Sequence, residues 1–243
     1  MGSQGTELHC GEDPTKDQSY FLFATTQEQL DYLRFPLGHL SKDETRAHAA
    51  RFKLDVAEKP DSQDICFVPD GRYSDVVKRL RPGAIDPGKI VHIDGSILGD
   101  HDGIINFTIG QRKGLGIGGR VAAESIGESP PLYVLELDPT QKTVIVGPKS
   151  ALARDTVLVN QINWIGANSP LTDSLDVLVK LRSTQEPVQG TLCRANNEEG
   201  RLVLKQKQFG ISSGQAAVFY SAETRSRVFG GGWIVGTELA HKM

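Results

Sequence analysis

The pattern of apolar and polar positions divides the chain at Pro82. From Thr25 to Leu80 the apolar spacing is helical. Thr26-x-x-Gln29 and Ser41-x-x-Glu44 each have the form of a capping box, in which a hydroxyl and a side chain three residues later satisfy each other's free backbone N–H groups. They predict one helix after Thr26 and a second running through Ala47, Ala50 and Phe52. A third is expected from Ser74 through Val76, Val77 and Leu80, with Pro82 blocking its continuation. Between the last two lies DSQDICFVPDGRY, which Pro60 and Pro69-Asp70-Gly71 mark as a loop.

Beyond Pro82 the period falls to two. GKIVHI-DG-SILGD reads as a hairpin, with Asp94-Gly95 suited to a type I′ turn. IINFTIG reads as a further strand, and LYVLEL and TVIVG are expected to pair across DPTQK. From about Thr156 come VLVNQINW, DVLVKLRS, QGTLCRA, RLVLKQ, QAAVFYS and RVFGGGWIVG. Short strands at this spacing, with turns such as NNEEG, predict a small barrel. The first ~20 residues, punctuated by Gly2, Gly5, Gly11 and Pro14, read as a loop or strand remnant with no core-building element of their own. The expected fold is mixed α/β and all-β: a short helical segment (23–81), a β-rich central domain (82–152) and a C-terminal small β-barrel (153–243), preceded by residues 1–22.

Composition narrows the chemistry. With 38% hydrophobic and 23% charged residues, the 243-residue chain has the make-up of an ordinary globular protein. No run approaches the ~20 apolar residues of a membrane span, and MGSQGTELHCGEDPTKDQ is too polar for the apolar centre of a signal peptide. A cytoplasmic protein with no membrane partner is expected. The net charge of −3 argues against indiscriminate coating of nucleic acid. It leaves room for a local basic face, and cations cluster at Lys78–Arg81, Arg112–Lys113 and Lys205/Lys207. The three cysteines, Cys10, Cys66 and Cys193, lack C-x-x-C spacing and form neither a disulfide framework nor a zinc site. No metal site is expected.

Four motifs carry candidate chemistry. GLGIGG formally matches a dinucleotide fingerprint, but it follows the polar GQRK and leads into a segment broken by Gly127 and Pro130-Pro131, so a tight turn is the better reading. Cys66, between Ile65 and Phe67, has the setting of a small buried hydrophobe. Its Pro- and Gly-bounded loop, with Asp61, Asp64 and Asp70, leaves a reactive role open, one that needs a cation from elsewhere in the fold. Cys193, mid-strand in the barrel, reads as packing. KDQSYFL sets a cation, a carboxylate and an amide ahead of an aromatic pair, and FTIGQRKGLGI holds Gln111, Arg112 and Lys113 in a glycine-flanked turn.

Taken in order, KDQSYFL, DSQDICFVPDGRY, GIINFTIGQRKGLGI, LYVLELD…TVIVG and SGQAAVFY…GGGWI resemble the tRNA-specific 2-thiouridylases, across essentially all of the chain. The resemblance implies a tRNA-uridine 2-sulfurtransferase, which replaces the C2 oxygen of the wobble uridine by sulfur. It implies that Cys66 carries the sulfur as a persulfide received from a cysteine desulfurase or sulfur-relay protein. A second cysteine, N-terminal to everything in this sequence, would release that sulfur and form a disulfide with the first. For tRNA contact it points to Lys16, Asp17 and Gln18, to Lys180, Leu181 and Arg182, and to Gln215.

The family's SGGxDSS phosphate loop, its Asn-Pro-Cys-x-x-Cys-Asn segment and its Gly-His-Tyr adenosine contact have no counterpart here. ATP and Mg2+ are therefore expected to bind an ATP-pyrophosphatase domain outside this chain, separately encoded if the gene is split, with residues 1–22 a remnant of that catalytic domain. Cys10, in LHCGED, stands where the family keeps no catalytic cysteine. Two functions stay open: a thiolation enzyme, whole or in parts, and a tRNA-binding module inactive alone.

Overall fold

The structure, a computed structural model, describes residues 5–59, 86–117, 130–166 and 174–238. Eleven strands and two α-helices follow in the order β1 (Leu8–His9), α1 (Gln27–Tyr32), α2 (Lys42–Arg51), β2 (Gly88–His92), β3 (Ile97–His101), β4 (Leu132–Asp138), β5 (Thr143–Pro148), β6 (Ala153–Trp164), β7 (Ser174–Lys180), β8 (Val188–Arg194), β9 (Gly200–Phe209), β10 (Ala216–Ser221) and β11 (Arg227–Glu238). They form two compact units. One comprises Met1–Pro60, Arg154–Lys207 and Ser213–Met243; the other comprises Asp61–Ala153 and Gln208–Ser212.

In the second unit a four-stranded sheet runs β3-β2-β5-β4, with β2 and β5 parallel and the other neighbours antiparallel. Its core is Ile90, Phe107, Leu115, Val134, Val144 and Val146. The β2–β3 hairpin forms as expected, but not through a type I′ turn. Gly95 N–H bonds to the His92 carbonyl at 2.8 Å, and only Gly95 is left-handed, at φ +92°. Type I′ needs both central residues at positive φ; here an ordinary turn is followed by a left-handed glycine, with a register shift between Ile90 and Val91. Asp94 supports the turn instead. Its carboxylate accepts the Ser96 N–H and hydroxyl and lies 2.9 Å from His92 Nδ1, which holds its pKa down at about 2. IINFTIG is not a strand: Ile104–Asn106 make one 3-10 turn, because the apolar run plugs the sheet's core through Phe107 rather than alternating across a pleat. The β4–β5 pair closes across DPTQK as expected, with Asp138 accepting the Thr140 and Gln141 N–H groups.

In the first unit β6 to β11 close into a six-stranded barrel, in the order β11-β10-β7-β8-β9-β6 and back to β11. This is the barrel expected from the sequence. Alternation sends Ala217 and Phe219 of β10 to one face and Ala216, Val218 and Tyr220 to the other, yet all six residues of β10 are buried. The second face is buried because residues 8–30 lie on it. Leu8, Tyr20, Phe23 and Leu30 form one cluster with Ala216, Val218, Tyr220, Val228, Leu178 and Ile165.

The N-terminal segment is fastened to the barrel along its length. β1 pairs with β11 at Leu8↔Val228 and His9↔Arg227, just past the point where β6 leaves β11 at Trp164↔Gly230. Asn163 Nδ2 donates to the carbonyls of Phe23 (2.7 Å) and Thr25 (3.0 Å), and the Gly166 N–H donates to Gln27 Oε1 at 2.9 Å. Glu7 pairs with Arg227 at 3.0 Å. Phe23 meets Trp233 edge-on, with ring centroids 5.3 Å apart, and lies over Gly231, where a Cβ would come within 2.8 Å of its ring.

Both capping boxes are present, at Thr26/Gln29 for α1 and Ser41/Glu44 for α2. α2 stops at Arg51 with Phe52 as its exposed C-cap, and no α2 residue is buried. Cys193 corrects the sequence reading: Leu192 beside it is fully buried, so alternation turns Cys193 outward and exposed rather than into the packing. The third expected helix and the DSQDICFVPDGRY loop lie outside the described residues.

Gly231→Ala is expected to push Phe23 off β11, and Phe23→Ala to leave a cavity there. Each lowers the denaturant midpoint, the latter by about 3–5 kcal/mol of stability. Because the two share the Phe23 contact while the clash of a Cβ at 231 with the Ala217 carbonyl, 2.7 Å away, remains, the double variant should lose only somewhat less than the sum, which equilibrium unfolding of the three variants measures.

Candidate functional site

The site is built on Asp17. Its Oδ1 accepts the backbone N–H groups of Gly11 (3.0 Å) and Ser19 (3.1 Å), and its Oδ2 accepts the Ser19 hydroxyl at 2.7 Å. A carboxylate with three donors from its own loop acts as a scaffold. It fixes the turn that leaves Lys16 and Gln18 exposed on either side. Asp13 does the same one turn earlier, binding the Thr15 hydroxyl (2.6 Å), the Thr15 N–H (2.9 Å) and the Lys42 N–H (3.2 Å). Those hydrogen bonds, the Thr15 hydroxyl first, lower its pKa.

From Asp17 the network runs into the barrel. Ser19 is buried, with its hydroxyl 3.3 Å from the Tyr220 hydroxyl and 3.6 Å from Cys10 Sγ. Since the Ser19 proton points at Asp17, the Tyr220 hydroxyl is the donor to Ser19. The Tyr20 hydroxyl donates to the Ala216 carbonyl at 3.0 Å. Burial raises the pKa of Tyr220 and, less strongly, that of Tyr20. Burial also pushes the Cys10 thiol up; the charge of Asp17 adds to this, while the Ser19 hydroxyl and the Lys180 ammonium oppose it. A thiol held protonated in this way is a poor nucleophile.

KDQSYFL packs here on the barrel strands that precede Leu181 and follow Gln215. Lys180 stands opposite Val218 in the β7–β10 register, on the face that carries Leu178 and Tyr220. Its charge reaches Cys10, and that of Arg182, exposed two residues on, reaches Tyr20. Gln215 directly precedes the Ala216 carbonyl bound by Tyr20, and its Oε1 is buried with no hydrogen-bond partner among the described residues. Asp17 thus anchors the network, Lys180 and Arg182 act on its Cys10 and Tyr20 through their charges, and Lys16 and Gln18 flank Asp17 in the loop. Leu181 takes no part: at 1% exposure its side chain is in the core. Cys66 lies outside the described residues.

Sequence reading missed Ser19, Tyr20 and Tyr220 as the links. The available signal was the pair of tyrosines in apolar runs, whose buried hydroxyls need partners. The GQRK turn is separate. Gln111 Oε1 accepts the Thr108 N–H and its Nε2 donates to the Lys113 carbonyl, each at 3.0 Å, leaving Arg112 and Lys113 exposed. Gly114 and Gly116 sit at φ +74° and +72° around the buried Leu115, with no helix in Thr108–Ile117. That is turn geometry over the described part of the motif, as the sequence reading expects. The described residues hold no group of three or more His, Cys, Asp or Glu placed to bind a metal, and Cys10 and Cys193 are free thiols. None of their helices is long and apolar enough to cross a membrane.

Comparison with known proteins matches three successive stretches of the chain. Residues 1–70 match a family model described as tRNA methyl transferase HUP domain, residues 74–148 one described as tRNA methyl transferase PRC-barrel domain, and residues 154–234 one described as aminomethyltransferase beta-barrel domain. The tRNA-specific 2-thiouridylase MnmA of Rhodospirillum centenum is 56% identical over 239 residues, which is 98% of this chain and 59% of the relative. Its counterpart in Ruegeria pomeroyi is 55% identical over 237 residues, 96% of this chain and 60% of the relative. That of Parvibaculum lavamentivorans is 54% identical over 242 residues, 98% and 59% respectively. The chain spans about three-fifths of the length of these relatives.

The raised tyrosine pKa values give a direct test. In an absorbance titration Tyr20 and Tyr220 should ionise above the ordinary tyrosine value of 10.0, and Tyr20→Phe and Tyr220→Phe should each remove part of that late phase. A phenol whose pKa is raised on folding stabilises the fold below its unfolded value of 10.0. Stability should therefore fall as pH rises above 10, and fall less steeply in Tyr220→Phe.

Proposed function

The chain belongs to the family of tRNA-specific 2-thiouridylases, and on that premise we propose that it takes part in 2-thiolation of the wobble uridine of tRNA, holding the tRNA and carrying the sulfur on Cys66. The observation that supports the tRNA-holding part is that the loop ordered by Asp17, with Lys16 and Gln18 exposed, packs through Ser19 and Tyr20 on the barrel strand beside Lys180 and Arg182. Cations and amides of this kind suit phosphate and ribose edges, which position an RNA without reading its sequence. Asp17 serves as a positioning residue that orients its two neighbours, and Leu181 holds Lys180 and Arg182 on the rim by anchoring between them.

For the sulfur step, the Cys66 thiolate attacks the outer sulfur of a persulfide on a cysteine desulfurase or relay protein. The donor's S–S bond breaks, the donor leaves as a thiolate, and Cys66 holds the new S–S bond. A persulfide is a stronger nucleophile at neutral pH than a thiol, and covalent transfer divides one hard substitution into easier steps. Cys10 takes no part in this reading, because its thiol is held protonated. ATP with Mg2+ would activate the uridine oxygen, and the turn at Thr108–Ile117 does not have the strand-to-helix form that holds a nucleotide phosphate.

The test is sulfur transfer to the whole chain. With a desulfurase and 35S-cysteine, the chain should acquire a reductant-labile label that Cys66→Ser abolishes and that Cys10→Ser and Cys193→Ser keep. Equal labelling of Cys66→Ser would contradict the assignment. For RNA, filter binding should give a weak affinity, about 10⁻⁴ to 10⁻⁶ M, with a salt slope of roughly −1 to −3. Lys180→Ala and Arg182→Ala should each flatten the slope by about one unit, whereas Gln215→Ala should lower affinity with the slope unchanged.

A further inference from the structure

β11 carries a large aromatic on the outside of the barrel. Trp233 is 40% exposed, and Val235, two residues on, is 50% exposed. The chain's other tryptophan, Trp164, has its indole Nε1 buried and the Arg194 guanidinium over its ring. A single exposed apolar residue needs no explanation, so the case for Trp233 rests on what the strand register sets around it. Lys180, Val218 and Gly231 stand opposite one another in one row across β7, β10 and β11. Residues directly opposite in antiparallel strands share a face. Trp233, two positions past Gly231 and opposite Ala216, returns to that same face.

This is the face on which Tyr20 and Phe23 lie. Phe23 covers Gly231 and meets the Trp233 ring edge-on at 5.3 Å, while the Tyr20 hydroxyl donates to the carbonyl of Ala216, the register partner of Trp233. Trp233 is therefore the outer member of a packed aromatic cluster, with a firm foothold and an open side. Cations stand across β10 from it. Lys180 occupies the row of Gly231, and the charge of Arg182, two residues on, acts on Tyr20. β7 and β11 flank β10, so their backbones are about 10 Å apart, a span that a nucleotide and its flanking phosphates bridge. A flat apolar ring with cations at that distance suits single-stranded nucleic acid, with the base on the ring and the phosphates on the cations. In paired RNA the base faces are stacked on one another, and only an unpaired base has a face to offer. We propose that Trp233 is a stacking platform for an unpaired base of the tRNA, with the adjoining phosphates toward Lys180 and Arg182. The inference rests on the tRNA-holding reading of this face and adds a base contact to its phosphate and ribose contacts.

The test uses the whole chain with a tRNA bearing a wobble uridine and, for comparison, a blunt RNA duplex of equal phosphate count. Acrylamide should quench the wild-type fluorescence through the exposed Trp233; tRNA should shield it and the duplex should not. In filter binding Trp233→Ala should weaken tRNA roughly 5- to 100-fold, the worth of one stacked base. The salt slope should stay as it is, because an indole displaces no counterion. Trp233→Phe, which keeps a ring for both Phe23 and the base, should recover most of the loss. The quenching is read on the unaltered chain, so it decides the matter even where Trp233→Ala fails to fold. Binding of tRNA that leaves Trp233 open to acrylamide, while Lys180→Ala still flattens the salt slope, would overturn this inference and spare the tRNA-holding reading. Equal shielding by the duplex would overturn it as well, and shielding by a cysteine desulfurase but not by tRNA would assign the surface to a protein partner instead. Absence of any tRNA binding would overturn both.

Discussion

Burial of the outer face of β10 is the contact on which the first unit depends. A barrel strand ordinarily keeps one face in solvent, but Ala216, Val218 and Tyr220 are covered by Leu8, Tyr20 and Phe23 from almost two hundred residues earlier in the chain. Each aromatic buried in this way contributes about 1.5–3 kcal/mol. The contact works only because β11 carries Gly231 where Phe23 must lie, and because Asn163 and Gln27 supply hydrogen bonds for backbone groups that leave the solvent. Without it the segment before α1 has no core, and the barrel exposes an apolar strip.

The same contact creates the candidate site. Polar ends of the covering side chains, the Tyr20 and Tyr220 hydroxyls and the Ser19 hydroxyl, are desolvated and must find partners at the edge of the cluster. They find Ala216 O, Asp17 and one another. Asp17, held by its loop, fixes the turn that exposes Lys16 and Gln18, while the charges of Lys180 and Arg182 act on Cys10 and Tyr20 of the same segment. A packing constraint thereby gathers cations from segments that are far apart in sequence, which a chain of net charge −3 does not otherwise do. The tRNA-holding role proposed for this rim follows from that gathering.

Much of the fold was legible because its signals are local. The two capping boxes involve residues three apart, and the barrel strands follow a period of two with turn residues between them; both were read correctly. Errors arose where an apolar run had more than one use. IINFTIG fills a core as a 3-10 turn, and Cys193 sits among apolar strand residues yet points outward. The hairpin turn at Asp94-Gly95 was misassigned because the dipeptide alone does not reveal which residue adopts positive φ. The docking of residues 8–30 on β10 could not be read at all, since it pairs positions of large sequence separation. The contact residues of the candidate site were legible only through family segments, and their common network through Tyr20 and Tyr220 only from the structure.

The central claim is that the N-terminal loop and the barrel rim present one surface to tRNA. Hydrogen-exchange footprinting of the whole chain with a tRNA bearing a wobble uridine tests it most directly. The account predicts protection in three places at once: Lys16–Ser19, Lys180–Arg182 and the turn before Ala216. All three should be lost together in Asp17→Ala, which leaves every cation in place but frees the loop. Protection confined to one of these segments, or centred instead on Lys205 and Lys207 of β9, would contradict it.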